Sequence, residues 1–207
     1  LRAYYADHVV HYRRDVSPAQ PDLGSFSGPV LAVEVGQQDA TVAIDVTRYG
    51  GFTAVGYYAL PGEPVIVRLL SGEDLNPKIH INTQRTGSTR EFNDGLYDRP
   101  KFLSSPKMAL VRDQDIELVT PYGGTLQITV DSAAGDGVVE LELSGVGQHA
   151  VLHPGGDLDA YLETLSGSQF PFTEITNPYV QIHSKSDMML TAIDNYGGDL
   201  EAFFADV

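Results

Sequence analysis

From about residue 40 to residue 153, apolar and polar residues alternate with a period of two. The run Val138-Val-Glu-Leu-Glu-Leu143 shows this most plainly. Val139, Leu141 and Leu143 fall on one side and Glu140 and Glu142 on the other, the mark of a half-buried strand. Thr41–Val46 alternates in the same way, and Thr53–Leu60 is rich in β-branched and aromatic residues. Pro64–Leu70, Lys78–Asn82, Asp115–Thr120, Thr125–Val130 and Gly137–Ser144 complete the set of expected strands. Their separators are turn chemistry: Pro61-Gly62, Ser71-Gly72, Tyr122-Gly123-Gly124 and Gly135-Asp136-Gly137. Many short strands punctuated like this predict a mainly β fold, an antiparallel β-sandwich over 40–153 rather than a βαβ sheet.

The flanks read differently. In the lead-in, 1–39, Tyr5, Val9 and Tyr12 share one face of a short amphipathic helix over 2–14, with a strand as the alternative. A Pro/Gly/Asp turn cluster comes next at Ser17–Gly24. Residues 83–107 have no periodicity, and a loop of that length in a compact domain is usually functional or disordered. After Pro154-Gly155-Gly156 the composition shifts, and 154–207 is expected to be a small α+β extension. It would hold a helix at Asp157–Leu165, strands at Tyr179–His183 and Met188–Ile193, and a helical turn at Asp199–Ala205. The close on Phe203-Phe204-Ala205-Asp206-Val207 reads as a cut within a longer polypeptide, with 154–207 bridging to a further domain.

Charge narrows the function. The 207 residues carry a formal net charge of −15, which argues against binding a nucleic-acid backbone. Its placement is uneven. Basic and acidic residues balance over 1–112, whereas beyond 112 Lys185 is the only basic residue, so only the first part can meet anionic groups. There is no cysteine, hence no disulfide framework, thiolate metal site or cysteine nucleophile. Apolar runs such as 108–111 are far too short to span a bilayer. An acidic, cysteine-free chain suits a secreted or cell-surface bacterial protein. The polar 1–16 is no signal peptide, so the chain is either cytoplasmic or a mature or excised piece, the second agreeing with its abrupt close.

Tests for catalytic chemistry fail one by one. His149 and His153 have a spacing that binds zinc on a helix, but Gln148–Pro154 reads as extended, where i and i+4 stand roughly 13 Å apart. They are expected to be a surface or edge-strand pair. His8 and His11 have no third ligand nearby in sequence. No G-x-S-x-G elbow exists, and Leu143-Ser-Gly-Val-Gly147 reads as a strand-end turn. Tyr122-Gly-Gly-Thr125 lacks a Walker lysine. Calcium is the metal most compatible with so many acids, yet no EF-hand loop occurs. A carboxylate pair for glycoside hydrolysis would have to come from the acidic second half, and Glu140 and Glu142 read there as a solvated strand face.

What remains is the 83–107 loop, which gathers Arg85, Arg90, Arg99 and Lys101 with Tyr97 and other aromatics. Planar guanidinium donors match carboxylate or sulfate, and aromatic faces stack on sugars, so this set suits an acidic glycan. Tyr122 joins it, since Gly123 and Gly124 would let a sugar or another backbone approach closely; a plain turn is the alternative. Equally, the loop's basic residues would serve as ion-pair partners for the acids of the second half.

Four segments, in order, resemble a known family: Ala54-Val-Gly-Tyr-Tyr-Ala-Leu-Pro-Gly-Glu-Pro-Val-Ile-Val67, His80-Ile-Asn-Thr83, Arg99-Pro-Lys-Phe102 and Val119-Thr-Pro-Tyr-Gly-Gly-Thr-Leu-Gln127. They are similar to the β-sandwich that precedes the gluzincin-type catalytic domain in the enhancin-like, mucin-targeting zinc metallopeptidases. The resemblance covers about 1–150 well and 151–207 more loosely. That family's zinc site is an H-E-x-x-H helix with a downstream Glu ligand, and this sequence holds neither. The resemblance therefore implies a non-catalytic accessory module of a secreted protease. Its partner would be the catalytic domain of the same polypeptide, with mucin-type O-glycoprotein as a second. Zinc would belong to the catalytic domain alone, with no cofactor in this chain beyond the calcium its acids could hold. Two other readings stay open: an interdomain scaffold with no ligand, and a stand-alone hydrolase using carboxylates.

Overall fold

The alternation at Val139, Leu141 and Leu143 becomes the middle of a twelve-residue strand, β10 (Gly137–Gln148), and all three side chains are fully buried. The computed structural model describes residues 36–46, 51–83, 104–120, 123–131, 135–176, 180–199 and 202–203, with the backbone alone at 92–93 and 96–97. The expected helix at 2–14 and the turn cluster at 17–24 lie outside these residues. The chain divides into two compact units, Leu1–Gln148 and His149–Val207.

In the first unit, described strands β1 (Gln38–Val46), β2 (Thr53–Ala59), β3 (Val65–Ser71), β4 (Lys78–Ile81), β7 (Met108–Ala109), β8 (Asp115–Leu118) and β9 (Gly124–Thr129) join β10 in one sheet. Its order is β7-β4-β9-β2-β10-β3-β8, with β1 also on β10 and the strand pairs antiparallel. β5 (Phe92–Asn93) and β6 (Leu96–Tyr97) form a separate small hairpin within the long loop. One apolar cluster draws Val65, Val67 and Leu69 from β3 and Leu141 and Leu143 from β10. It also takes in Ile79 and Ile81 from β4 and Leu126 and Ile128 from β9. A sheet whose two ends share one core has folded over on itself, the sandwich that the alternation predicts. Each of these fully buried side chains contributes about 1.5–3 kcal/mol relative to exposure.

β10 bridges the two layers because it does not stop where expected. Instead of a strand-end turn, Leu143–Gly147 continues the strand: Gly145 adopts φ +77°, and Val146, Gly147 and Gln148 then pair with Ala59, Tyr58 and Tyr57. A Cβ at Gly145 would stand 2.6 Å from the Pro64 carbonyl oxygen, so only glycine fits. On the outer side of the same layer, Arg68 faces Asp115 and Glu142 on the adjacent strands and bonds both, at 2.7 and 3.1 Å. Ser71 Oγ donates to Glu140 at 2.8 Å. Glu140 and Glu142 thus lie on the exposed face as expected, and they are engaged across strands.

Three sequence motifs meet at one corner. Leu60-Pro61-Gly62-Glu63 is a type II turn, with Gly62 at φ +76° and the Glu63 amide donating to the Leu60 carbonyl at 3.2 Å. The Gly62 amide reaches the Thr120 carbonyl at 2.8 Å. Asn82 stands opposite at φ 64°. Its amide donates to the Thr125 carbonyl at 2.8 Å, and its side chain donates to the Gly123 carbonyl at 3.0 Å and accepts from the Thr125 amide at 3.2 Å. A Cβ on Gly123 would lie 2.3 Å from the Ala59 carbonyl oxygen, and one on Gly124 2.0 Å from Asn82 Oδ1. The glycine pair is therefore used for close approach by the chain's own Ala59 backbone and Asn82 side chain.

The second unit pairs β11 (Val151–Leu152) in parallel with β12 (Phe172–Thr176), and β12 antiparallel with β13 (Gln181–Lys185). α1 (Leu158–Ser166) starts where expected, with Asp157 Oδ1 accepting from the Ala160 amide at 3.0 Å. Met188–Ile193 is a correction: it is not a strand but lies within a helix, α2 (Ser186–Asn195). Met189 and Ile193, four apart, are buried beside Tyr161, Leu165 and Ile175, while Met188 points out to solvent. Ala202 and Phe203 form the helical turn expected near the end, with Asp199 accepting from the Ala202 amide at 2.9 Å.

The corner predicts two destabilised variants. Asn82→Ala strands a buried carbonyl and a buried amide and should cost about 2–4 kcal/mol in urea unfolding. Gly123→Ala meets a backbone oxygen that cannot rotate away, and should cost about 3 kcal/mol or more. Changes below about 0.5 kcal/mol in both would refute this role for the corner.

Candidate ligand-binding site

Of the residues singled out for an acidic glycan, Arg85, Arg90, Arg99, Lys101 and Tyr122 lie outside the described residues. Tyr97 is placed by its backbone alone, opposite Phe92 in the β5–β6 hairpin. The part of the long segment described with its side chains is its end, 104–107, and there Lys107 borders a cavity. The Ser105 amide donates to the Ile81 carbonyl at 3.0 Å, the Ile81 amide donates to Ser105 Oγ at 2.8 Å, and Met108 and Ala109 then pair with Ile79 and Lys78. Continued by one residue, that register sets Lys107 beside His80.

Strand alternation sorts the side chains of β4 and β9 into two sets. Ile79, Ile81, Leu126 and Ile128 point into the core, so Lys78 and His80 on β4 and Thr125, Gln127 and Thr129 on β9 face the other way. His80, Thr125, Gln127 and Thr129 are nevertheless buried, a second and polar layer on the outside of the sandwich. Gln127 Nε2 donates to Thr125 Oγ1 at 3.0 Å within it. Phe52 meets the His80 ring edge-on, with centroids 5.9 Å apart. At the end of this layer opens a cavity of about 400 Å³, lined by Gly51, Asn76, Lys78, Lys107, Thr129, Val130 and Asp131.

His80 is the titrating group of the layer. Its Nδ1 is buried without a hydrogen-bond partner. Desolvation first, and the nearby Lys107 charge second, lower it from 6.5 to about 4.

The second unit hides a different cluster. Glu174 on β12 is 1% exposed and lies between two imidazoles, His149 Nε2 at 2.9 Å and His183 Nδ1 at 2.6 Å. Burial by itself pushes the carboxyl up, but the hydrogen bonds and attraction of His149 and His183 outweigh it and hold Glu174 at about 2. His149 is thus no surface residue. It is buried, whereas half-buried His153 turns its Nδ1 to Thr176 Oγ1 at 3.0 Å. The extended backbone at Val151–Leu152 sends the two histidines to different partners, as the spacing argument requires. His149, Glu174 and His183 come from three segments, and nothing in their sequence spacing announces them. Among the described residues no group of three or more His, Asp or Glu side chains is arranged to hold a metal.

The two clusters give separable pH windows. Below 6.5 the unfolded chain takes up a proton that buried His80 refuses until about pH 4, so His80 lowers stability progressively across that interval, by on the order of 3 kcal/mol. The contribution of Glu174 is full above about 4.5 and is lost as pH falls through 2. Urea midpoints of His80→Leu should therefore be flatter than wild type from pH 6.5 to 4, and those of Glu174→Gln flatter only below about 4.5. Identical profiles for all three proteins would contradict both assignments.

Comparison with known proteins bears on what this arrangement serves. A family model of the N-terminal domain of M60-like peptidases matches residues 34–144. The chain is 32% identical over 212 aligned residues to the immunomodulating metalloprotease of Pseudomonas aeruginosa, along 99% of its own length and 23% of that protein's. The solved structure of IMPa from Pseudomonas aeruginosa in complex with an O-glycopeptide matches with a TM-score of 0.79, covering 93% of this chain and 23% of that one. IMPa metallopeptidase in complex with T-antigen matches equally well, with a TM-score of 0.79. ZmpB metallopeptidase from Clostridium perfringens, 10% identical, shares the fold with a TM-score of 0.56 over 75% of this chain and 37% of that one. The chain thus spans less than a quarter of the length of its Pseudomonas relative. The family resemblance read from the sequence holds, and the chain belongs to the family formed by the N-terminal domain of M60-like peptidases.

Proposed function

We propose that this chain is a non-catalytic accessory region of a secreted, O-glycoprotein-targeting zinc metallopeptidase, supporting the protease domain and taking part in recognition of the glycoprotein substrate. The observation that carries the reading is the 32% identity running along 99% of the chain to a metalloprotease of which it spans only 23%, joined to a sequence without H-E-x-x-H. Relatives of the same family have been solved with an O-glycopeptide and with T-antigen bound. The charge pattern supports a recognition role for the first half, where the basic residues gather, rather than for the acidic remainder. Carboxylate hydrolysis gains no support: Glu140 and Glu142 stand on an exposed strand face, bound to Ser71 and Arg68.

The scaffold reading makes an opposite forecast for ligand and a shared one for stability. In the full-length enzyme, Arg99→Ala with Lys101→Ala should weaken retention on sialylated mucin roughly three- to tenfold while leaving the thermal midpoint in place. Deleting the region should lower that midpoint under either reading. Unchanged retention by the double variant would remove the recognition role and leave the scaffold.

A further inference from the structure

We infer that the free edge of β7 takes up an extended acidic segment from the rest of the peptidase polypeptide, which adds a strand there and sets a carboxylate side chain between Lys78 and Lys107, an inference that rests on the accessory role for the identity of its partner. Main-chain geometry comes first. β7 ends the strand order and pairs with β4 alone. The Leu110 amide donates to the Pro77 carbonyl at 2.9 Å, so in an antiparallel ladder Leu110 and Met108 are the positions bonded to β4. Ala109 between them, and Lys107 by continuation, turn amide and carbonyl to the outer edge. No bond is made on that side among the described residues. Such an edge is a template for another strand.

Charge says what kind of strand. Both described arginines of the first unit are neutralised by carboxylates, Arg68 by Asp115 and Glu142 and Arg112 by Glu73. Lys78 and Lys107, the other described cations of that unit, have no carboxylate partner among the described residues, and both line the cavity beside this edge. Asp131 in the same lining is already engaged, and two ammonium groups against one carboxylate leave the lining positive. A lysine on an edge strand can simply guard it against pairing. Lys78 is no such guard, for it lies on β4 with β7 on one side and β9 on the other. Its partner on β7 is Ala109, whose single methyl group leaves the space beside it unfilled. In a strand added to β7, alternate side chains fall on the cavity's face. One segment can therefore bond Lys107 and Ala109 through its main chain and seat a carboxylate between the lysines. The occupant belongs to the same polypeptide for two reasons. Two copies of a chain of net charge −15 repel each other, whereas a tethered segment gains effective concentration. The chain also spans only 23% of its relative, which leaves most of such a polypeptide to supply the strand.

The full-length enzyme supplies two readouts. Treated with a carbodiimide, it should form zero-length amide cross-links from Nζ of Lys78 or Lys107 to Asp or Glu side chains outside these 207 residues, mapped by mass spectrometry. In hydrogen exchange, the 107–109 amides should be protected in the wild type and exchange roughly tenfold or more faster in Lys78→Glu with Lys107→Glu. Unchanged exchange over 139–143, in the core, shows that the variant folds; if it does not, the wild-type cross-links and protection still decide. The added strand is refuted if the lysines cross-link only to acids within the 207 residues or to none, or if the wild-type 107–109 amides exchange as freely as unprotected ones. It is refuted equally by cross-links between two copies in a mixture of nitrogen-14 and nitrogen-15 protein, or by cross-links that form only once an O-glycoprotein is added. Cross-links to outside acids alongside unchanged mucin retention in the Arg99 and Lys101 variant would keep the strand and leave the region a scaffold. Lost retention without those cross-links would overturn the strand alone.

Discussion

The fold hangs on a side-chain lock at Asn82. A four-residue strand ends there, the backbone turns into the left-handed region, and the amide side chain closes on the Gly123 carbonyl and the Thr125 amide. The grip requires Gly124 to have no side chain, and Gly123 must be equally bare to pass under the Ala59 carbonyl. The Pro61-Gly62 turn supplies that carbonyl's position and ties itself to Thr120. Motifs separated in sequence are therefore one object in space. At this corner the glycines and the asparagine answer a steric need, which says nothing by itself about ligand. Around this corner β9 gains its register with both β2 and β4, and the outward polar layer gains its order.

The buried ionisable groups set up a division of labour between the two units. The first unit buries an imidazole without a hydrogen-bond partner for its Nδ1 under a polar layer, and presents cations at that layer's end. The second buries a carboxylate and satisfies it with two imidazoles. An unpartnered buried histidine costs stability as soon as acid is offered, whereas a carboxylate clasped by two histidines resists protonation. The same residue type thus weakens one unit in mild acid and secures the other.

Much of this was legible in the sequence. Alternation fixes a strand's faces, and Val138–Leu143 shows its inward and outward residues without ambiguity; Asp157–Leu165 reads as a helix from the acids in its first turn, and the structure makes Asp157 its cap. Met188–Ile193 misled because a run of Met, Leu, Thr, Ala and Ile satisfies strand and helix templates alike, and packing of Met189 and Ile193 decides the matter. Gly145 read as a stop because glycine marks both turns and bulges, and only the Pro64 carbonyl beneath it shows which. Glu174 lay beyond reach altogether, its partners being distant on the chain and joined by sheet register. Lys78 and Lys107 share that difficulty, for nothing local says that they line one space.

We propose that this N-terminal region meets anionic groups of a glycoprotein. A glycan array probed with the purified 207-residue chain, with and without calcium, tests it most directly. Binding confined to O-glycans carrying sialic acid or sulfate is the predicted result, unchanged by calcium. Absence of binding to every glycan at high protein concentration would contradict the claim and leave a sandwich whose work is mechanical support of the protease.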